Sequence, residues 1–404
     1  MPTPALSFTK ARQVIAEQMA LLTADRPTET VPLQKALGRV LATDVNADRD
    51  YPPFNRSARD GFAVMASDVM KTPARLRVIG QTRAGEPSRF HLQHGEAVEI
   101  MTGAPGPKGS DSVVMWEYSQ REGEWVTLDS GVPSGKNLIY QGSETSKGDT
   151  VLRPGTSINF PQMALLASVG QEEITVYRRP RVAILSTGDE VVELGHTPEP
   201  FQIRNSNAHS LAAQIKRLGG QPEILPIAPD KPDRTRDLIE IGLESDLLLL
   251  SGGVSMGKYD YVEQALTDLG AEFFFTQVKI QPGKPLVFGQ VQSIPVFGLP
   301  GNPISTMVSF EVFASIAVHR LAGRSNSPLP FFKARLRSDF SHKPVLTRFL
   351  PARLEEEYGN TTVDPVKWQG SGDLTALALS NCFLVATPER ASWAADDWID
   401  VLPQ

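Results

Sequence analysis

Carboxylates and a Gly-Gly pair follow short apolar runs, and these residues are the best suited to chemistry. Gly252 and Gly253 come directly after the run DLLLLS, and Asp260 follows a few residues later. Backbone N–H groups of such a turn approach a phosphate closely, and a following helix adds partial positive charge. A Gly-Gly pair also closes many ordinary strand-to-helix turns. Asp260 favours the phosphate interpretation, because a carboxylate beside a phosphate requires a divalent metal or an activated water.

Two further stretches place acidic residues after predicted strands. STGDE contains Asp189 and Glu190, and IAPDKP contains Asp230. Turn or helix capping explains either stretch taken alone. The carboxyl ends of strands in an open α/β sheet meet at one crevice. Glu190, Asp230 and Asp260 together therefore predict a site for a hard metal ion with oxygen ligands.

A lysine and three loops complete the local candidates. Lys284 follows a Pro-Gly turn in VKIQPGKPLVFG, where a rigid backbone suits a compact oxyanion, although most surface lysines are only solvated charges. LPGNPIS fits either a binding loop or plain turn chemistry before a helix. FNRSARDGFAV and TGAP indicate, by themselves, only a hairpin turn at Asp60 and a loop at Thr102. The sequence contains no Walker A motif, no GxGxxG after a strand and no zinc-type spacing.

Alternating strands and helices position these loops. RVAILST, EILPIA, DLLLLSGG and IPVFGLPG are short apolar runs, and helical patterns lie between them at 205–219, 233–243 and 258–269. This alternation predicts a parallel sheet with helices on both faces. STGDE, SGGVSMG and LPGNP then lie at the carboxyl ends of the strands and line one crevice.

The rest of the chain shows other patterns. Residues 8–22 predict an amphipathic helix, because apolar side chains recur every three to four positions at Ala11, Ile15, Met19 and Leu22. Short β-type runs between Gly and Pro predict a small mostly-β domain from about Tyr51 to Gln141. FPQMALLASVG predicts a helix and EITVYRR a strand, both of which return to the unit begun by the N-terminal helix. Residues from about 328 predict a C-terminal β domain after the linker GRSNSPLP.

Length and composition exclude several classes of protein. A chain of 404 residues with 41% apolar and 21% charged residues is typical of a globular protein with several domains. No run approaches the roughly 18 apolar residues of a membrane span. The N-terminal sequence and the single cysteine, Cys382, indicate neither export nor disulfides, so we expect a cytoplasmic location. A net charge of −6 argues against nucleic-acid binding, so any bound anion must be held locally.

The motifs SARDGFA, IMTGAP, STGDE, SGGVSMGKYDY, QPGKPLVFG, LPGNPIS and QGSGDL occur in this order over almost the whole chain. Through these motifs and their order, the sequence resembles the molybdopterin molybdenumtransferase family, which includes the C-terminal enzymatic domain of gephyrin. The resemblance implies a multidomain α/β plus β fold. Its expected parts are an elongated discontinuous domain at 1–50 with 143–179, a mostly-β insert domain at 51–142, a three-layer α/β molybdopterin-binding domain at 180–326 and a C-terminal β barrel at 327–404.

In that family the substrates are molybdate and adenylylated molybdopterin, and AMP leaves as the dithiolene captures molybdenum. The resemblance implies Mg²⁺ at Glu190, Asp230 and Asp260, and catalytic roles for these residues together with Asp60 and Lys284. Residues matching positions that bind pterin, phosphate or molybdate are Thr102, Thr187, Gly188, Ser251, Gly252, Gly253, Ser255, Pro285, Pro300, Asn302, Arg353 and Ser371. Lys284, Pro285, Arg353 and Ser371 are the ones expected to hold molybdate.

The same resemblance implies a homodimer in which Asp60 and Thr102 reach the cleft of the partner subunit. It also implies exchange with an upstream molybdopterin adenylyltransferase and with apo-molybdoenzymes or their chaperones. We expect no nucleic-acid partner and no membrane partner.

Three departures from the family pattern bear on activity. Gln281 replaces the first lysine of the usual KPGKP, Glu144 stands where an aspartate is usual, and Arg56 and Arg59 lie beside Asp60. A non-catalytic molybdopterin carrier or scaffold is therefore an alternative function. The retained carboxylates and Lys284 favour the enzyme, since a carrier needs no metal-binding acids. An enzyme for another nucleotide-linked substrate would leave the N-terminal and C-terminal motifs unexplained.

Overall fold

The structure, a computed structural model, describes residues 5–253, 261–324 and 328–404. The chain divides into two compact units. The first unit comprises Met1–Ala42, Gly155–Asn159 and Ile174–Gln404, and the second comprises Thr43–Pro154 and Phe160–Glu173. The finer domain boundaries expected from the sequence stay a prediction.

A six-stranded sheet lies at the centre of the first unit. Its strands, in spatial order, are Gln221–Ile224, Arg181–Ser186, Leu247–Ser251, Ile294–Leu299, Pro285–Val291 and Glu272–Gln277. The first four contain the runs predicted to form a parallel sheet, and they do run parallel. The last two were not predicted, and they extend the sheet with antiparallel pairings. The loop between Val291 and Ile294 explains the difference. Gln292 and Ser293 form a two-residue connection with positive φ, which joins antiparallel strands and is too short for a parallel crossover.

Helices cover both faces of this sheet, as the sequence predicts. Alternate strand residues point to opposite faces, so Val182 and Ile184 pack with one set of helices while Ala183 and Leu185 pack with the other. The first set comprises Ser206–Arg217 and a continuous stretch made of Pro303–Ser309, a π-helical turn at Phe310–Ala314 and Ser315–Leu321. The second set comprises Pro232–Gly242 and Tyr261–Asp268. These bounds agree with the predicted helices to within a few residues.

The stretch Pro303–Leu321 is also long and apolar enough to cross a membrane. Of the residues that the structure describes, no other helix meets that criterion. The stretch is 72% buried inside the protein, which is how a core helix packs.

The N-terminal helix Phe8–Leu22 packs onto the first of these helical layers. Ser7 caps it by accepting a hydrogen bond from the Lys10 backbone N–H, and its predicted apolar stripe is buried at Ala11, Ile15 and Met19. The Phe8 ring lies 5.7 Å from that of Phe313, centroid to centroid. The helix is therefore part of the largest hydrophobic core of the first unit.

A closed five-stranded barrel forms the C-terminal part of the first unit, as predicted. The strands Thr347–Glu357, Asn360–Pro365, Phe332–Leu336, Trp398–Pro403 and Cys382–Ala386 pair in that order, and the last pairs again with the first. Ile280–Gln281 extends the barrel sheet, with Gln281 opposite Arg348. The unit also contains a short helix, Leu374–Ala378, and three two-stranded pairs: Thr28–Pro32 with Glu173–Tyr177, Val191–Val192 with Ile203–Arg204, and Phe340–Ser341 with Ser392–Trp393.

The second unit is mostly β, as predicted. Its six-stranded sheet has the order Ser112–Met115, Gly61–Val64, Glu96–Ile100, Ala74–Thr82, Trp125–Leu128 and Ser119–Glu122. Phe62, Leu76 and Val126 belong to the core beneath it. Short pairs join Val45–Asn46 to Thr150–Leu152 and Arg56–Ser57 to Leu138–Ile139. The predicted helix is present at Phe160–Ser168.

Candidate active site

A cavity of about 480 Å³ opens at the carboxyl ends of the parallel strands in the first unit. This is where the sequence predicts the strand-end loops to meet. The ten predicted residues that line it are Thr187, Gly188, Glu190, Asp230, Ser251, Gly252, Gly253, Pro285, Pro300 and Asn302. The strands that carry the loops are in register: Ser186 pairs with Ser251, and Ser251 pairs with Leu299. The loops therefore leave the sheet at one level.

The Gly-Gly turn begins directly at the end of Leu247–Ser251. The Gly252 N–H donates to the Leu299 carbonyl at 3.2 Å, and the Thr187 N–H donates to the Ser251 carbonyl at 3.1 Å. Gly252 has a φ of +93°, and a Cβ built there would lie 3.0 Å from both the carbonyl and the hydroxyl oxygen of Thr187. Only glycine fits this close approach without strain. The turn can therefore present bare backbone to a ligand.

The two described acidic residues of the predicted metal site, Glu190 and Asp230, both lie in the cavity wall. The Ile203 N–H donates to the Glu190 carbonyl at 2.8 Å, and the Asp230 N–H donates to Oδ1 of Asp189 at 3.1 Å. Gly188, with a φ of +126°, leaves room for the Glu190 side chain, since a Cβ there would lie 2.4 Å from Oε2. Asp189 thus holds the Asp230 loop while Glu190 and Asp230 stay exposed.

The strand-to-helix segment Arg204–Asn207 also lines the cavity and was not predicted. Asn207 donates through Nδ2 to the Ser251 hydroxyl at 2.9 Å and to the Gly301 carbonyl at 2.7 Å. It thereby connects the Gly-Gly turn to the Pro300–Asn302 loop. Asn205 caps the Ser206–Arg217 helix by accepting from the Ala208 N–H at 3.2 Å. The sequence IRNSN before an apolar helical pattern was the signal that could have found them.

Comparison with known proteins identifies the family that the sequence motifs indicate, along almost the whole chain. Three family models match: the MoeA N-terminal region (domain I and II) at residues 6–170, the probable molybdopterin binding domain at 183–320 and the MoeA C-terminal region (domain IV) at 333–404. A molybdopterin molybdenumtransferase of Nostoc is 37% identical over 82% of this chain and 78% of its own. One of Staphylococcus aureus is 32% identical over 93% of this chain and 91% of its own. The chain belongs to the molybdopterin molybdenumtransferase family.

Solved structures agree with this family assignment. A molybdopterin biosynthesis moeA protein from Pyrococcus horikoshii superimposes with a TM-score of 0.84, at 27% identity over 99% of this chain and all of the other. A second structure of that name has a TM-score of 0.78 at 32% identity, over 99% of both chains. The three-layer α/β domain, the insert and the C-terminal barrel are therefore the fold of the family.

Three residues expected to hold molybdate in this family lie outside the cavity wall. Lys284 is exposed next to the wall residue Pro285, and its carbonyl accepts from the Val278 N–H at 3.0 Å. Ser371 lies in a separate open pocket lined by residues 369–373, and its carbonyl accepts from the Ile304 N–H at 2.9 Å. Arg353 is exposed on a barrel strand opposite Asp364. The molybdate role of these residues stays a prediction.

Asp60 and Thr102 come together in the second unit. The Thr102 backbone N–H and hydroxyl donate to Oδ1 of Asp60 at 2.6 and 2.9 Å. These two hydrogen bonds to the carboxylate lower the pKa of Asp60. Arg56, one of the departures from the family pattern, forms an exposed ion pair at 3.1 Å with Glu144, which is another. The two unusual residues thus neutralise each other.

Ser255 and Asp260 lie outside the residues that the structure describes. Over the described ranges, no group of three or more His, Cys, Asp or Glu side chains is arranged to hold a metal ion. Two carboxylates in one cavity nevertheless suit Mg²⁺, which in proteins commonly binds one or two carboxylates and completes its shell with water and substrate phosphate. The carboxylates of Glu190 and Asp230 are therefore ligands of the chemical type that Mg²⁺ prefers.

Proposed function

We propose that this chain transfers molybdenum from molybdate to adenylylated molybdopterin and releases AMP. The observation that carries the proposal is the cavity, in which a Gly-Gly turn and two carboxylates meet at the carboxyl ends of the parallel strands. Membership of the molybdopterin molybdenumtransferase family supports the same reaction.

The turn at Ser251, Gly252 and Gly253 binds the phosphate in this proposal. The Gly252 N–H already donates to the Leu299 carbonyl, so Gly253 offers the backbone donor, and the two glycines let a phosphate approach the turn without an intervening side chain. Ser251 is buried, and Asn207 fixes its hydroxyl against the neighbouring loop, so the donors are ordered before the substrate arrives. A preorganised donor set of this kind stabilises developing charge on the phosphate without a cost for reorganisation.

Glu190, Asp230 and Asp260 hold Mg²⁺ in this proposal. When bound, the ion would screen these carboxylates from the phosphate and polarise its oxygens. Lys284, Pro285, Arg353 and Ser371 orient molybdate, with charge from the two cations and directional hydrogen bonds from the hydroxyl and backbone.

The test is AMP release from adenylylated molybdopterin by the purified protein, with and without molybdate and with and without Mg²⁺. We expect release that requires both. Glu190→Gln and Asp230→Asn should lower the rate on the order of a hundredfold, in the range for loss of one charge-stabilising group. Asp260→Asn should do the same. Asp237→Asn is the matched control, because that carboxylate lies on the exposed face of the Pro232–Gly242 helix in an ion pair with Arg234.

Either of two results would count against the reaction. Rates equal to wild type in all three carboxylate variants would remove the metal-dependent mechanism. Tight binding of adenylylated molybdopterin with no turnover would instead favour the carrier function.

We further propose that the chain acts in the cytoplasm as a homodimer. Asp60 and Thr102 of one subunit would complete the cavity of the other. The dimer would receive its substrate from an adenylyltransferase and pass its product to apo-molybdoenzymes or their chaperones. Sedimentation equilibrium tests the dimer. Mixing an Asp60→Asn chain with a Glu190→Gln chain tests the shared site, because only mixed dimers would regain one intact cavity.

A further inference from the structure

Arg204 stands out among the cavity residues because of its charge. Of the described residues that line the cavity, it is the single cation, and it faces an opening that also contains Glu190 and Asp230. Its side chain is exposed. Within the part of the chain that the structure describes, its guanidinium forms no hydrogen bond, ion pair or ring contact. An arginine free of protein partners at the mouth of a cavity is available to a ligand.

The backbone holds Arg204 firmly even though its side chain is free. Ile203–Arg204 pairs with Val191–Val192, and Arg204 lies opposite Val192. The next residue, Asn205, donates its backbone N–H to the Val192 carbonyl at 2.9 Å and caps the helix Ser206–Arg217. Arg204 therefore projects from a fixed point two residues before a twelve-residue helix, whose N-terminus carries partial positive charge.

A second observation in this segment also indicates a ligand. Asn205 is only 2% exposed, yet its Nδ2 has no partner within the described residues. The orientation of the amide is fixed, because Oδ1 accepts from the Ala208 N–H and from the Ser186 hydroxyl. The unpaired atom is therefore a donor. A buried donor without a partner costs free energy unless a ligand or water satisfies it.

We infer that Arg204 binds the phosphate of the nucleotide-linked substrate, beside the Gly-Gly turn. This inference rests on the proposed function, since it takes that reaction's substrate as the anion. The carboxylates of the cavity repel a phosphate, and neither predicted cation, Lys284 or Arg353, is in the wall. Arginine suits the role because its planar fork binds two phosphate oxygens at once.

The experiment compares binding of AMP with binding of adenosine, measured by isothermal titration calorimetry. The wild-type protein should prefer AMP. Arg204→Gln should weaken AMP binding on the order of tenfold to a hundredfold, the range for loss of a charged hydrogen bond, and leave adenosine unchanged. The AMP affinity of Arg204→Lys should lie between those of wild type and Arg204→Gln, because lysine keeps the charge but loses the second hydrogen bond. Raising the salt concentration should weaken AMP binding less in Arg204→Gln than in wild type.

Arg236→Gln is the matched control. Arg236 is equally a surface arginine of the first unit, on the Pro232–Gly242 helix, and among the described residues it pairs only with Glu240. The Arg236→Gln protein should bind AMP with the same affinity as the wild type. Thermal unfolding should be unchanged in both variants, because neither side chain is buried.

Two outcomes would overturn the inference. One is an Arg204→Gln protein that prefers AMP to adenosine as strongly as wild type does. The other is a wild-type protein with no such preference. Neither outcome decides the proposed function, which the molybdate-dependent release assay on wild-type protein tests separately.

Discussion

Replacing Gly252 with alanine tests whether the Gly-Gly turn is built for close approach to a ligand. The new Cβ would lie 3.0 Å from the Thr187 carbonyl and hydroxyl oxygens, which is closer than such contacts normally are. The backbone φ of +93° is also unfavourable for alanine. Such a backbone conformation costs about 1–3 kcal/mol in a non-glycine residue. We expect the free energy of unfolding to decrease by an amount within that range, towards its upper end because of the crowding.

Activity should fall further than stability alone explains. The clash pushes the turn away from Thr187, and both residues line the cavity. A displacement of the order of 1 Å in a positioned site costs about a hundredfold in rate. A shift of a few tenths of an ångström should therefore lower kcat/KM for AMP release by about tenfold, measured well below the unfolding temperature.

Gly219→Ala is the matched control for this prediction. Gly219 has a φ of +89°, but its nearest neighbour is the Gly38 carbonyl oxygen at 3.9 Å from an added Cβ, and it lies outside the cavity wall. Its substitution should lower thermal stability while kcat/KM stays at the wild-type value. The reasoning fails if Gly252→Ala keeps full activity, or if both variants lose activity in proportion to their stability.

Two more predictions concern a bridging amide and a buried histidine. Asn207→Asp should lower kcat/KM more than Asn207→Ala, because a carboxylate cannot donate to the Gly301 carbonyl and would repel it; equal rates in both would refute the bridge. Burial lowers the pKa of His319 to about 4, with nearby arginines adding to the shift. The unfolded state therefore binds the proton first, and the free energy of unfolding should fall by up to about 3 kcal/mol as pH drops from about 6.5 to 4. His319→Leu should flatten this pH dependence in thermal unfolding, and an unchanged slope would contradict the assignment.

Hydrophobic periodicity predicted the layers of the first unit but not every strand of its sheet. The run at 294–299 was predicted as a strand, whereas Pro285–Val291, which pairs antiparallel with it, was not. Strand direction depends on the connection, which here is the two residues Gln292 and Ser293. Neither residue is a glycine or an asparagine, so the usual signal of a tight hairpin was missing. The barrel was predicted only from the family resemblance, because the pairing of Cys382–Ala386 with Thr347–Glu357, which closes it, is a tertiary contact that periodicity does not reveal.

The site was predicted best where its residues follow strands. Ser251, Gly252, Glu190 and Asp230 were found because strand ends in such a sheet converge. Asn205 could have been found as a helix cap, because it precedes an apolar helical pattern. The bridging role of Asn207 could not, because it depends on a partner far away in the chain, the Gly301 carbonyl. Composition and spacing carry no record of such a contact.

The register of the sheet explains why one asparagine can order two loops. Ser251 and Leu299 are paired residues, so the turns that follow them start side by side, and a Cβ at Gly301 would lie 3.6 Å from the Gly252 Cα. At this separation a single carboxamide reaches both Ser251 and Gly301. A slip of one residue in this pairing would turn every side chain of the strand to the opposite face. The described part of the cavity therefore takes its geometry from the same apolar strand residues that form the core.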